Sequence, residues 1–374
     1  MAGTIGIVIF VVSILLVILI HEAAHFGVAK AFGIKVEEFF VGFGPRLFSR
    51  QRGETEYGVK AFPLGGYVKI AGMNPYEEIS PEDYPRTYNA RPAYQRAAVI
   101  VAGPITHFVI AFFLFAIFFA FYGQPTSVAA RIGGVAKTVA GQPAPARIAG
   151  LRAGDDVVAV QGFPRATEEQ FLRAIRSHPG EPIRVVVDRD GRRVVVTVTP
   201  VEDSKGQGKI GVLVESGTVL STNKKGVLGS LVAGGAQIGE VTKQTVLSLG
   251  KVFGPSGVGR MFNLIFGNAQ RNTGDAVGSI GVASAAGQIT QAFGFGPLIF
   301  LLAGVNVFVG ILNLLPLPPF DGGHLAVVAW EKIRGRKVDA RKLVPLTMVV
   351  LVFLMVWFVG ITYLDIFKPV HVVP

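Results

Sequence analysis

The chain has no cysteine among its 374 residues and little charge for its length, with Asp, Glu, Lys and Arg together making up only 16%. Without thiols there is no disulfide framework, and any metal must be held by nitrogen and oxygen. The absence does not decide the compartment, since an exported domain can do without disulfides and a cytoplasmic one ordinarily has none. Scarce charge, 50% apolar residues and a mean hydropathy of +0.49 exclude an ordinary soluble domain and point to a multi-span membrane protein. Basic residues are also missing from the start, where none precedes Lys30. A signal peptide needs a basic leader and a shorter apolar core, so the first run reads as a retained helix with an exported N-terminus. The formal net charge of +11 comes without a compact basic patch set among aromatic platforms, so nucleic acid is not an expected partner.

Four stretches are long enough to cross a bilayer, at 4–30, 97–122, 297–315 and 344–364. Two basic blocks separate them, one between the first and second (Lys35, Arg46, Arg50, Arg52 and Lys60 among others) and one between the third and fourth (Lys332, Arg334, Arg336, Lys337, Arg341, Lys342). With four spans both blocks share a side, and the positive-inside rule makes it the cytoplasm. Both termini then lie outside.

His21-Glu22-Ala23-Ala24-His25 closes the first apolar run. Residues four apart lie on one helical face, so both imidazoles can grip one ion while Glu22 stands beside them. Two neutral imidazoles and a carboxylate suffice for zinc, and a neighbouring glutamate can take a proton from water activated there. A surface helix carrying two histidines would need a polar face, which residues 11–20 do not supply. His21 follows Thr4 by about 25 Å of helix, which places the site in the cytoplasmic half of the bilayer.

Between the first two spans, 57–70 reads as a hairpin or strand pair bent at Gly65-Gly66, and its apolar content suggests that it dips towards the metal. The second span carries Gly103-Pro104 and then His107, which either packs against a neighbour's carbonyl or supports the site. Residues 126–216 change character, being charged, Val-rich and without spans. A helix at 168–177 and strands at 183–188 and 194–199 about Asp190-Gly191 make this a β-rich domain. Residues 217–295 suit an interfacial, amphipathic segment with Lys224, Lys225, Lys243, Lys251 and Arg260. The remaining domains are 1–125, with the first two spans, and 296–374, with the last two.

Asn306 and Asn313 share a face of the third span, where Asn306 suits a hydrogen bond to a neighbouring helix. Three prolines after Asn313 end that helix, and Asp321 opens a new helical run that reaches Ile333. Alone, Asp321 would be an N-cap. A carboxylate at membrane depth needs a partner, however, and two zinc-binding histidines need a third ligand, so each site answers the other's deficit. His324 either supports Asp321 or caps and packs.

HEAAH in the first span and NLLPLPPFDGGH after the third together resemble the site-2 protease family of intramembrane zinc metalloproteases. The second-span Gly-Pro, the cytoplasmic hairpin and an insert similar to a circularly permuted PDZ domain resemble its bacterial branch, which cleaves anti-sigma factors and residual signal peptides. The resemblance implies an α-helical polytopic membrane protein with a re-entrant β hairpin and an inserted PDZ-like domain in a bacterial cytoplasmic membrane. It implies Zn2+ held by His21, His25 and Asp321, with Glu22 as general base. Asn313 would help to hold the substrate backbone, and the 57–70 segment, with Gly65, Gly66 and Tyr67, would pair with it. His107 and His324 are further candidates to support the ligands. Partners would be single-span membrane proteins, peptide tails at the PDZ-like domain, and the lipid bilayer itself. Two departures stand out, His107 where the family commonly has Asn, and Gly278-Ser279-Ile280-Gly281 where it commonly has Gly-Pro-Ile-Gly. A non-catalytic adaptor for client helices is the rival reading, although a structural zinc site needs no base such as Glu22. A zinc transporter would need a further acidic or histidine relay along the spans.

Overall fold

In hydrocarbon every backbone N–H and C=O must find a partner within the chain, so apolar runs of this length fold as helices. The computed structural model describes residues 1–370 except 75, 140, 165, 204, 205 and 273. Its helices are α1 (Ala2–Ala31), α2 (Ala93–Phe121), α3 (Pro145–Ile148), α4 (Glu168–Ser177), α5 (Val227–Phe253), α6 (Pro255–Phe266), α7 (Ser279–Phe293), α8 (Phe295–Asn313), α9 (Asp321–Arg334) and α10 (Val344–Phe367). Among the described residues four helical stretches are long and apolar enough to span a membrane: α1, α2, α8 and Arg341–Phe367. Contacts divide the described residues into two units, Met1–Phe118 together with 227–370, and Phe119–Gly226.

In the first unit, α7 packs into α1 where glycine lets the backbones approach. A Cβ at Gly6 would lie 2.4 Å from Thr290 Oγ1, and one at Gly287 would lie 2.8 Å from Ile7. Phe10 of α1, Ala286 of α7 and Leu298 and Leu302 of α8 form one apolar cluster. A second cluster joins Ala29 and Ile34 to Val99 and Ile100 of α2 and Val328 of α9. These contacts gather α1, α2, α8 and α9 around the end of α1 that carries its histidines. The interfacial segment expected up to residue 295 is three helices, α5, α6 and α7. A break at Gly254-Pro255 separates α5 from α6, since proline is tolerated at the first helical position but not inside.

Between α1 and α2 lie strands β1 (Val36–Arg52) and β2 (Thr55–Ile70). The hairpin is larger than expected, because its turn falls between Arg52 and Thr55, and Gly65-Gly66 lies within β2 rather than at the bend. Positions 38–41 have partners on both sides, Glu56 to Val59 on one and Gly66 to Lys69 on the other. Among the described residues no second strand pairs 66–70 on its far side. Phe43, Leu47, Phe48 and Phe62 are exposed on this hairpin. Glu54 in the turn bonds Lys30 at the end of α1 and Arg86, the latter at 2.6 Å. The Lys30 ammonium, and after it Arg86, holds the Glu54 carboxyl below the usual carboxylate range. Its stabilising effect is therefore present above the ordinary glutamate pKa and is lost as pH falls through the depressed value.

The second unit is a five-stranded antiparallel sheet in the order 212–223, 124–135, 156–160, 183–189, 192–198. Its core holds Ile132, Phe171, Ile183, Val185, Val187 and Ile210. Asp190 and Gly191 have φ of 53° and 78° and turn the last hairpin as expected. Helix α4 begins at a capping box of Thr167 and Gln170. The first two strands in this order pair out to Gln124 and Asn223, so this unit runs past the expected 126–216 at both ends.

Gly6→Ala should lower the thermal midpoint of the detergent-solubilised protein through overpacking worth about 1–3 kcal/mol. Gly27→Ala, where a new Cβ meets nothing within 4 Å, should not lower it. Differential scanning fluorimetry on the pair checks this.

Candidate metal centre

Three positions of α2 one turn apart, Val99, Gly103 and His107, face the histidines of α1. His25 Nδ1 donates to the carbonyl of Val99 at 2.7 Å. Its Nε2 is thereby left with a lone pair, aimed at His21 Nε2 3.1 Å away. Gly103 fits between them only because it lacks a side chain, since a Cβ there would lie 2.2 Å from His25 Nε2 and 2.7 Å from His21 Cε1. Pro104 beside it removes one bond from the α2 ladder, as proline inside a helix must.

Asp321 reaches the same point from α9. Its Oδ2 lies 3.2 Å from His21 Nε2 and 3.4 Å from His25 Nε2. Local sequence explains the approach. After Asn313 the prolines prevent the helix from continuing, and α9 then folds back over that turn. A Cβ at Gly322 would lie 2.3 Å from the carbonyls of Leu314 and Leu315, and one at Gly323 would lie 2.6 Å from Pro318 N. Asp-Gly-Gly is thus the sequence that lets a carboxylate open a helix pressed against its own preceding loop.

The three atoms form a triangle with edges of 3.1, 3.2 and 3.4 Å. Tetrahedral zinc, with bonds of roughly 2.0–2.1 Å, separates its ligands by about 3.3 Å, so the donor set fits that ion in number, type and spacing. Among the described residues His21, His25 and Asp321 are the one such group. The imidazoles are 10% exposed and the carboxylate 24%, which makes Asp321 the more open side of the triangle.

Glu22 lies beside this group, against β2. A Cβ added to Gly66 would sit 3.5 Å from Glu22 Cγ, and the Glu22 carboxylate lies near the Val68 N–H. The strand segment that lacks a second partner therefore borders the glutamate. Tyr67 points elsewhere, with its hydroxyl donating to Glu38 and accepting from Lys60 Nζ at 2.7 Å, and its ring stacked on Phe40 and Phe43. Gly65 packs on the Phe43 ring near Ile18 of α1.

The other expected residues are less central. Asn313 ends α8, half-buried, outside the ligand group. His324 lies one turn into α9 on its exposed side. His107 is buried and also outside the ligand group. Its Nδ1 is 3.3 Å from Asn306 Oδ1, so Asn306 makes the interhelical bond its position suggested. The residues that sequence reasoning did not find act through the backbone: the Val99 carbonyl and the Val68 N–H carry no side-chain signature. The Gly-Pro pair of α2 was the available signal for Gly103.

A family model described as peptidase family M50 matches residues 9–357. The chain belongs to peptidase family M50. Among its relatives, the zinc metalloprotease Rip1 of Mycobacterium tuberculosis is 34% identical, with 98% of each chain covered. Rip1 of Mycolicibacterium smegmatis is 35% identical over 93% of each. The zinc metalloprotease RasP of Geobacillus kaustophilus is 29% identical over 97% of this chain and 98% of its own. The family expected from HEAAH and NLLPLPPFDGGH is thus the one found, and the M50 membership makes this chain a peptidase.

Gly103→Ala should weaken metal binding and reduce peptide hydrolysis by about 100-fold, the rate cost of displacing reacting groups by about 1 Å. Equilibrium dialysis and a peptide-release assay on the purified variant measure the two.

Proposed function

We propose that this M50 peptidase is an intramembrane zinc metalloprotease in which His21, His25 and Asp321 hold the metal and Glu22 is the general base. The observation that carries the reading is the triangle of donor atoms at zinc spacing with the Glu22 carboxylate beside it. Zinc, when bound, supplies a Lewis acid that polarises the scissile carbonyl and lowers the pKa of water. The protein's own groups do the rest. Glu22, near the Val68 N–H, takes the proton of the attacking water and delivers it to the leaving nitrogen. His25 is locked by Val99 in the tautomer whose Nε2 faces the site. Asn313 assists in holding the substrate backbone.

The substrate is a membrane-spanning segment of another protein, whose helix must unwind because its carbonyls are engaged in internal bonds. The open side of 66–70, with Gly65, Gly66 and Tyr67, receives the unwound stretch as an added strand and compensates for the bonds lost. On the positive-inside rule the basic blocks face the cytoplasm, so both termini and the β-rich unit are exported and the metal lies in the cytoplasmic half of the bilayer.

Glu22→Gln should lower turnover by about 10²–10⁴-fold while zinc remains bound, whereas Asp321→Ala should lose the zinc. Zinc content and cleavage of a single-span substrate are measured together, and unchanged cleavage in both variants would overturn the assignment of Glu22 and Asp321. Replacing helix-breaking residues in that substrate by strong helix formers should slow cleavage, and equal rates across the series would remove the unwinding step. Since the chain has no native cysteine, single substitutions report topology cleanly. In intact cells an impermeant maleimide should label Arg192→Cys but not Ser49→Cys.

A further inference from the structure

For the three donor atoms to share a cation each must offer it a lone pair, and this fixes where the protons sit in the loaded protein. His25 is settled, since its Nδ1–H goes to Val99. For His21 to present Nε2 to the metal, its proton must move to Nδ1. That atom is buried and has no hydrogen-bond partner. Loading the site therefore creates a buried donor with nothing to receive it, an arrangement proteins seldom leave uncompensated.

One further ring lies next to the His21 imidazole. His107 is 2% exposed, and its centroid is 5.0 Å from that of His21, with the planes tilted by 45°. Its tautomer can be read from its other neighbours. Asn306 Nδ2 donates to the Leu302 carbonyl at 2.8 Å, so Asn306 turns its oxygen towards His107. That oxygen can only accept, so His107 carries its proton on Nδ1 and keeps a lone pair on Nε2. Gly310 holds α8 close enough for this, since a Cβ there would lie 3.1 Å from His107 Cβ.

We propose that His107 is a positioning residue for the metal. In the loaded protein its Nε2 accepts the Nδ1–H of His21, completing a relay from His21 through His107 and Asn306 to the Leu302 carbonyl and tying α1 to α2 and α8. The inference rests on the zinc reading above. His107 itself stays outside the ligand set, as its distance from that group requires.

Zinc affinity of the full-length protein, measured by chelator competition, tests the relay without reference to turnover. His107→Phe keeps an aromatic ring but has no acceptor, and it should weaken zinc binding by about 10–100-fold, the usual cost of losing such a support. His107→Gln, which can place an oxygen near the former Nε2, should restore affinity to within threefold of wild type. Asn306→Leu frees the His107 proton to move to Nε2 and should weaken zinc several-fold. The cobalt-loaded protein should show a shifted visible spectrum in the Phe and Leu variants and a native one in the Gln variant. Wild-type affinity in both His107→Phe and Asn306→Leu would overturn the relay. Should His107→Phe not fold, Asn306→Leu and His107→Gln decide alone: equal loss in both, or loss in neither, would overturn it. A wild-type protein that binds no zinc would instead defeat the underlying metal assignment.

Discussion

Everything in the membrane unit is organised around a carboxylate set among two imidazoles at helix ends packed in apolar surroundings. Bringing Asp321, His21 and His25 within 3.4 Å of one another is unfavourable for bare lone pairs and favourable around a cation. The contacts of α1, α2, α8 and α9 hold that geometry in place. They do so with small residues. Gly103, Gly322 and Gly323 each sit where a single additional carbon would occupy space taken by a ring or a carbonyl.

Backbone groups do much of the chemical positioning. The Val99 carbonyl sets the tautomer of His25, and the backbone of Gly66 and Val68 borders Glu22. Using main chain in these places has a physical advantage at membrane depth. A carbonyl already fixed within a helix adds no flexible polar side chain that would itself need a partner in hydrocarbon. The same economy explains why polar side chains that do occur in the spans, His107 and Asn306, bond to one another and to a backbone carbonyl.

The β1–β2 element joins two tasks. Its turn is fastened by the charges of Lys30, Glu54 and Arg86. Its last segment, 66–70, runs alongside Glu22 with one side unpaired. The exposed Phe43, Leu47, Phe48 and Phe62 give this hairpin an apolar surface suited to lipid, while Tyr67 bonds Glu38 and Lys60 within it. Tyr67 belongs to that internal pairing, so its part in holding a substrate would come through its backbone.

The amino-acid sequence by itself determined the four spanning helices, since apolar runs of membrane length have only one way to satisfy their backbone. It also determined the metal motif, because i and i+4 on a helix meet wherever that helix lies, and the end of α8, because proline cannot continue it. The short-range signals of the β-rich unit were equally legible: Thr167 with Gln170 begins α4, and Asp190-Gly191 makes its turn. The pairing of Asp321 with the histidines was inferred from the chemical need of each, yet its distances belong to the tertiary structure. So do the larger extent of the hairpin, the free side of 66–70, and the meeting of His107 with His21 and Asn306. These depend on register and helix approach, which are set by which glycine faces which neighbour across hundreds of residues, and no local pattern in one chain encodes that.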